Sequence, residues 1–447
     1  MFENIIAQDA AGQLRNDILS RRLAPSMLFF GPPASGKGST ALELARVLSC
    51  ELEGAWNCSC PACTRHRYLI HGDLLILGPR AFSAEIAASR SAFLREPAAA
   101  TRTLFIRSLR KLQARFSPVL LEDDPKLGKF SSLLQTLEEE SSDFEALSAE
   151  AAPNREDLEK CCEALVKNAL KLESEGMSDL IPIAQIRRAA YWSRLAPNGR
   201  RKMLLIENAD RMKGEAHNSL LKLLEEPPET LSIVLSVQRR EAVLSTILSR
   251  LRPYRFLKRD IEKEREVIRR VFRDPDAETA AGRAADGAAG LISAYIDSFV
   301  PQSEEKLYPL AAYFIASIAR SAALSLKKRG AGEIPAEIAA LGARYAPIAD
   351  AAGFERSLHA RDIIKTLIAG SDNFESRSFT RFLRLTLDMV SDVQREGANP
   401  HSPAYNDIWR KYAAGAETAM GVLNQSPALA FEVFFHRLKE ALAAVTA

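Results

Sequence analysis

Three short stretches of the chain are strongly apolar: residues 26 to 30, SMLFF; the continuous run 203 to 206 inside KMLLIENAD; and residues 231 to 237, LSIVLSV. Apolar runs of this length, rather than alternating ones, suit strands buried on both faces of a parallel sheet. Behind the first run, STALELARVL places Leu42, Ala45 and Leu48 at helical spacing. Between the second and third, AHNSLLKLLEE does the same with Leu220, Leu221 and Leu224, and Pro227 and Pro228 stop the helix. Strand and helix in alternation predict a three-layer α/β domain.

Residues 81 to 180 interrupt this pattern. They have few strand signals and many Ala, Leu, Glu and Arg, which predicts a helical insertion between the halves of the α/β domain, 1–80 and 181–258. Within it, residues 134 to 176 alternate apolar and charged positions at helical period except at Pro153 and Asn154, the pattern of a helical hairpin. After residue 259 the period is helical almost throughout. KRDIEKEREVIRRVF opens a small helical region, 259–300. The segments at 305–329 and 378–395 read as long packed helices of a further all-α domain, 301–447. No internal repeat or low-complexity tract is present.

Charge narrows the classes of function. Sixty basic and 57 acidic residues among 447 leave a net charge of +3, so a chain that coats nucleic acid by charge alone is excluded and any DNA contact is local. MFENIIAQDAAGQL has no basic stretch followed by an apolar core, and no run of about eighteen apolar residues occurs, which predicts a cytoplasmic protein with no membrane partner. The basic segment RTLFIRSLRKLQARF, 102–116, reads as a solvated helix face, with contact to DNA or a partner as the alternative.

Between the first strand and its helix lies GPPASGKGST, residues 31 to 40. It fits the phosphate-binding pattern G-x-x-x-x-G-K-[ST] at Gly31, Gly36 and Lys37 but has Gly38 where the magnesium-binding hydroxyl belongs. Backbone N–H groups at Ser35, Gly36, Gly38 and Ser39, with Lys37, are the candidate phosphate binders. Ser39 and Thr40 follow, but each helical step turns the side chain by about 100°, so neither points where residue 38 does. Nucleotide binding with impaired magnesium positioning and a purely structural loop are both compatible with this pattern. At the end of the second strand, Glu207 is the candidate magnesium carboxylate; its neighbour is Asn208, an amide that cannot act as a base, and Asp210 reads as a helix cap or surface acid. Two altered positions argue against hydrolysis at this site.

Four of the six cysteines crowd into fourteen residues as Cys50, Cys58, Cys60 and Cys63, spaced C-x7-C-x-C-x2-C. That density in a chain with too few cysteines for a disulfide framework points to a structural, tetrahedral zinc site. Cys58-Ser59-Cys60 is tight for two ligands of one ion, so His66 or His71 remains an alternative ligand. Cys161 and Cys162 read as packing residues.

These stretches, with HGDL after the cysteines, APNGRRKMLLIENADRMKGEAHNSLLKLLEEPPE and STILSRLRPYRF, resemble the bacterial DNA polymerase III clamp-loader family, most of all its delta-prime type. The resemblance covers about residues 2–80 and 181–256. It implies an AAA+ nucleotide-binding core with a zinc module, a small helical lid and a helical collar. Motor subunits of the family carry Asp-Glu where this chain has Glu207-Asn208, and delta-prime subunits commonly lack that glutamate. A motor's gamma-phosphate sensor would fall at Val237 or Gln238 here. The family's Ser-Arg-Cys motif, which places an arginine in a neighbouring subunit's ATP site, is Ser249-Arg250-Leu251 in this chain. The implied role is a stator subunit that works with gamma/tau and delta type subunits, the sliding clamp and primed DNA, supplies Arg250 in trans, and retains ATP or ADP, if at all, without hydrolysing it. A gamma-like motor using Ser39 and Asp210, and a scaffold with a structural loop, are the other readings.

Overall fold

A computed structural model of the chain describes residues 1–122, 127–149, 154–178, 180–212, 214–275, 290–299, 304–328, 334–353, 376–396, 402–421 and 427–444. Two compact units are formed, Met1–Pro301 and Gln302–Ala447.

The first unit opens with helix α1 (Asp9–Leu19), strand β1 (Ser26–Phe30), helix α2 (Lys37–Ser49), helix α3 (Pro61–Arg67) and strand β2 (Leu74–Leu77). The insertion follows as helices α4 (Ser83–Arg95), α5 (Ala99–Gln113), α6 (Pro118–Leu121), α7 (Leu127–Leu147) and α8 (Arg155–Gly176). The α/β pattern then resumes with α9 (Ile183–Arg194), β3 (Lys202–Glu207), α10 (Gly214–Glu225), β4 (Leu231–Val237), α11 (Ser245–Leu248), β5 (Arg252–Arg255) and α12 (Ile261–Phe272). The five strands form one parallel sheet in the order β2-β3-β4-β1-β5.

Alternate strand residues bury opposite faces. Leu28, Leu75, Leu204 and Ile206 pack with Ile186, Trp192, Leu220 and Leu224 on the side of α9 and α10. Met27, Phe29, Ile76, Met203 and Leu205 pack with Leu14, Leu42 and Leu44 on the side of α1 and α2. This is the three-layer arrangement that the apolar runs require. Two strands fall outside the runs singled out above: β2 is only four residues long, and β5, RPYR, buries Tyr254 alone. β5 lies at the sheet edge beside β1, where a polar strand is tolerated.

The insertion carries its own core. Phe144 of α7 packs edge-on against Phe93 of α4 at 5.0 Å and Phe105 of α5 at 5.3 Å. Cys162 is fully buried in the same cluster. α7 and α8 form the hairpin; Pro153 lies outside the described residues, while the Asn154 side chain caps α8 by accepting the Glu156 N–H at 3.1 Å. α12 and the helix Leu291–Asp297 pack on α4 through Ile268, Phe272, Ile292 and Tyr295.

The second unit has helices Glu304–Lys328, Ala336–Ala351, Ser376–Glu396, Ser402–Gly421 and Pro427–Ala444. Phe314 sits among Phe382, Trp409, Phe431 and Phe434. Leu307–Lys328 is long and apolar enough to cross a membrane by length and composition, and 61% of that window is buried within the unit. Its apolar face is thus used as core.

Candidate phosphate loop and cysteine centre

The loop 31–36 leaves the carboxyl end of β1, the usual position for a ligand crevice in an open parallel sheet. It is stitched to β4 by the Gly31 N–H, which donates to Gln238 O at 3.2 Å, and it approaches β5 so closely that a Cβ on Gly31 would lie 2.1 Å from Phe256 O. Gly36 has φ 96°, a left-handed conformation that favours glycine, and serves as N-cap of α2 without a side-chain hydrogen bond. The Lys37 ammonium donates to Gly31 O at 2.7 Å and Pro32 O at 2.6 Å. Its burial lowers its pKa to about 8, against the pull of Glu207 in the other direction. Ser35 is buried and its hydroxyl donates to Pro32 O at 2.8 Å.

Gly38 is explained by what stands beside it. A Cβ there would lie 2.7 Å from Glu207 Oε1, so the carboxylate occupies the space of the missing hydroxyl side chain. Ser39 is exposed, and the Thr40 hydroxyl donates to Gly36 O at 2.9 Å within its own helix. Neither replaces residue 38.

Glu207 is itself engaged. Arg80, just after β2, approaches Oε1 at 3.5 Å, and Arg115, in the 3-10 turn after α5, donates to Oε2. The chain of charges continues from Arg80 to Glu85 of α4 and from Glu85 to Lys111 of α5. Burial would raise the Glu207 carboxyl, but Arg80 and Arg115 outweigh it and hold it below its ordinary value. Glu85 is likewise opposed by burial and brought down to about 2 by Arg80 and Lys111.

The basic segment 102–116 therefore departs from the solvated face expected of it. One side of α5 is turned inward: Lys111 and Arg115 enter the network at Glu207, while Arg107 and Arg110 donate to the carbonyls of Arg67 and Tyr68 at the end of α3. Cations at a helix C-terminus satisfy carbonyls that have no partner in the helix. Spacing alone shows amphipathicity, not which partner a charged stripe meets.

Asn208 adopts φ 50°, and its side-chain amide donates to Pro79 O at 2.6 Å. It shapes the turn after β3. Asp210 lies half-buried in the 3-10 turn Ala209–Arg211 rather than at a helix cap, four residues before α10 begins. Val237 is buried at the end of β4, paired with Phe30, and Gln238 is exposed.

Two further residues tie these loops in place and were not singled out from sequence. Asp73, fully buried, accepts the N–H groups of Asn198 and Gly199 at 2.8 and 2.7 Å, joining HGDL to APNG. Arg259 spans from Ile6 O at 2.8 Å to Ala34 O at 2.9 Å and lies over the phosphate loop. The quoted HGDL motif was the available signal for the first; an arginine beyond the last strand gave none for the second.

Arg250 stands at the other end of the sheet's loops. It follows α11, with Nη1 on Thr246 O at 2.6 Å and Nη2 on Glu225 Oε1 at 2.7 Å, and both side chains of that ion pair are about one-third to one-half exposed, at 34% and 49%. It is a held, accessible cation.

At the far end of α2 the four cysteines converge. Cys50 is the C-cap of α2 and Cys60 the N-cap of α3, which contains Cys63. The four Sγ atoms lie within 4.8 Å of one another, with Cys50 to Cys58 at 3.6 Å and Cys50 to Cys60 at 4.0 Å. Four thiolates about 2.3 Å from a tetrahedral ion would be about 3.8 Å apart, so the group can hold a metal. The Leu52 and Gly54 N–H groups donate to Cys50 Sγ, and Arg46, buried in a pair with Glu43, donates to Cys63 Sγ at 3.0 Å. The short Cys58-Ser59-Cys60 gap does not keep the sulfurs apart. His66 stacks on His71 at 4.1 Å, with neither ring nitrogen of His66 partnered among the described residues and its pKa lowered to about 3 by burial.

Residues 6–260 match the family described as DNA polymerase III, delta subunit. The chain belongs to the DNA polymerase III clamp-loader family. The match spans the sheet, the cysteine group, the insertion and Arg250, and ends before the second unit. No curated protein matches. One solved structure that matches is a DNA polymerase III gamma subunit-related protein from Thermotoga maritima, 15% identical over 64% of this chain and 90% of that one, with a TM-score of 0.27.

Proposed function

We propose that this clamp-loader chain is a delta-prime-type stator: it contributes Arg250 to the ATP site of a neighbouring gamma/tau type subunit and performs no hydrolysis at its own loop. The observation that carries this reading is the contrast between Glu207, buried and bound to Arg80 and Arg115, and Arg250, accessible and oriented by Glu225. A motor needs its carboxylate free for magnesium and a base beside it. Here the carboxylate is committed and the neighbour is an amide. In trans, an arginine can stabilise charge that develops on the transferred phosphate, and a rigid setting is an advantage for that task. The same reading makes the chain a partner of delta type subunits, the sliding clamp and primed DNA within the assembled loader, in the cytoplasm, with 259–300 as lid and 301–447 as collar.

The motor reading finds no support in the exposed Ser39 or in Asp210. For the cysteine centre, zinc is the metal proposed: four sulfurs and no open position give a structural ion, and Arg46 offsets the negative charge that four thiolates create. Cys50, Cys58, Cys60 and Cys63 would then tie α2 to α3.

The test is ATP turnover by a complex reconstituted with the other loader subunits and Arg250→Ala in this chain. A large loss supports the stator; unchanged turnover sinks it. Metal content below half an equivalent per purified chain would remove the zinc assignment.

A further inference from the structure

The residues around the phosphate loop do not fit a magnesium ion. Such an ion requires nearly octahedral oxygen ligands at about 2.0–2.1 Å and in a phosphate loop takes one of them from the hydroxyl at the position of Gly38. A side chain at that position would have to displace the Glu207 carboxylate, whose Oε1 lies 2.7 Å from where its Cβ would be. The carboxylate that would hold the ion has both oxygens engaged, one by Arg80 and one by Arg115. Lys37 stands beside it as a third cation.

The side chains that remain around the loop suit negative charge. Among the described residues, Arg115, Arg80 and Lys111 are linked through two carboxylates, Glu207 and Glu85. Arg115 is 5% exposed, and its Nε and Nη1 have no hydrogen-bond partner among the described residues. Arg259 reaches Ala34 O, and its Nη2 lies 2.9 Å from where a Cβ on Gly36 would be. At this loop begins α2, a thirteen-residue helix whose N-cap glycine offers no side chain to its first N–H groups.

We propose that Arg80 and Arg115 stand in place of the divalent cation, and that the loop is a magnesium-independent site for a polyphosphate anion. The chemistry is that of a nucleoside di- or triphosphate or of inorganic pyrophosphate. Binding exchanges the two carbonyl acceptors of Lys37 for phosphate oxygens, while Arg80 neutralises the charge that magnesium would. The inference rests on residues 31–39 being a phosphate loop and not on the role of Arg250.

The experiment is calorimetric titration of the full chain with ADP, ATP and pyrophosphate, in EDTA and again in excess magnesium chloride. Binding of at least one ligand in EDTA, no weaker than with magnesium, is expected; pyrophosphate binding as well as ADP would identify the phosphates as the recognised group, and binding of nucleotides alone would add the base. A tenfold or greater gain on adding magnesium, or no binding of any ligand in EDTA, would overturn the proposal. Glu207→Gln releases two guanidinium groups from their carboxylate and should tighten binding in EDTA by about tenfold, whereas a magnesium ligand would leave binding in EDTA unchanged and give a loss in magnesium chloride. Should that variant unfold on melting, Arg80→Gln, at a partly exposed side chain, should weaken binding by a similar factor, and unchanged affinity would contradict the assignment. Failure of all these arms leaves the Arg250 reading intact, since that is read from turnover in the complex.

Discussion

The two ends of α2 carry two candidate ligand sites whose donors are placed in opposite ways. At its C-terminus Cys50 meets three other sulfurs at distances a tetrahedral ion imposes, with Arg46 and backbone N–H groups supporting them. At its N-terminus the loop keeps its turn, its glycines and its lysine, yet the groups that would position a cation are bonded to arginines instead. The difference lies in which neighbours the donors acquired. Donors that converge with nothing else to satisfy them stay available to an ion, and donors that a second charged group has already reached do not.

The largest expected effect lies at the cysteine end. Cys63→Ser should abolish metal retention and cost several kcal/mol of stability, a fraction of the roughly 10–16 kcal/mol that structural zinc supplies in isolated fingers. Elemental analysis and denaturant unfolding of the variant check this, and retained metal would break the comparison. Next is the ion network at the loop. Glu85→Gln leaves Lys111 without its carboxylate and Arg80 with Glu207 alone, and should cost about 3 kcal/mol at neutral pH. The sign with pH follows from a folded pKa near 2 against the ordinary 4.5: the contribution is complete above about 4.5 and lost as pH falls towards 2. Unfolding midpoints of variant and parent should therefore draw together in acid.

Gly38→Thr should cost about 1–3 kcal/mol by forcing its side chain into Glu207, and should restore no ATP turnover even with Asn208→Glu added. Turnover by that double variant would show the loop to be a motor site after all. Smaller still is the pH dependence of anion binding. Lys37 loses its proton as pH rises through about 8, so affinity should be full below that value and decline above it. A titration at pH 7 and pH 9 suffices, and a rise with pH would contradict it.

Much of this was readable from the chain. The apolar runs marked β1, β3 and β4, and residue type and spacing singled out the loop and the cysteines as candidates, whereas Arg250 was singled out only by the family resemblance. β5 was not, because an edge strand needs little hydrophobic signal and RPYR has almost none. The network at Glu207 was also hidden. Arg80 and Glu207 are 127 residues apart, and Arg115 and Glu207 are 92 apart, so no local pattern joins them. The sequence shows that Gly38 lacks a hydroxyl; only the packing shows a carboxylate in its place. The charges of 102–116 looked solvated for the same reason, since a helix's period says which residues share a face and not what that face meets.

The most direct measurement compares two variants in one reconstituted complex: steady-state ATP turnover with Arg250→Ala and with Lys37→Ala. The first should fall by about a thousandfold or more at the dependent site, the scale of a lost arginine finger, while the second stays near the parent value. If Lys37→Ala abolishes turnover and Arg250→Ala does not, the chain hydrolyses ATP at its own loop and the account fails.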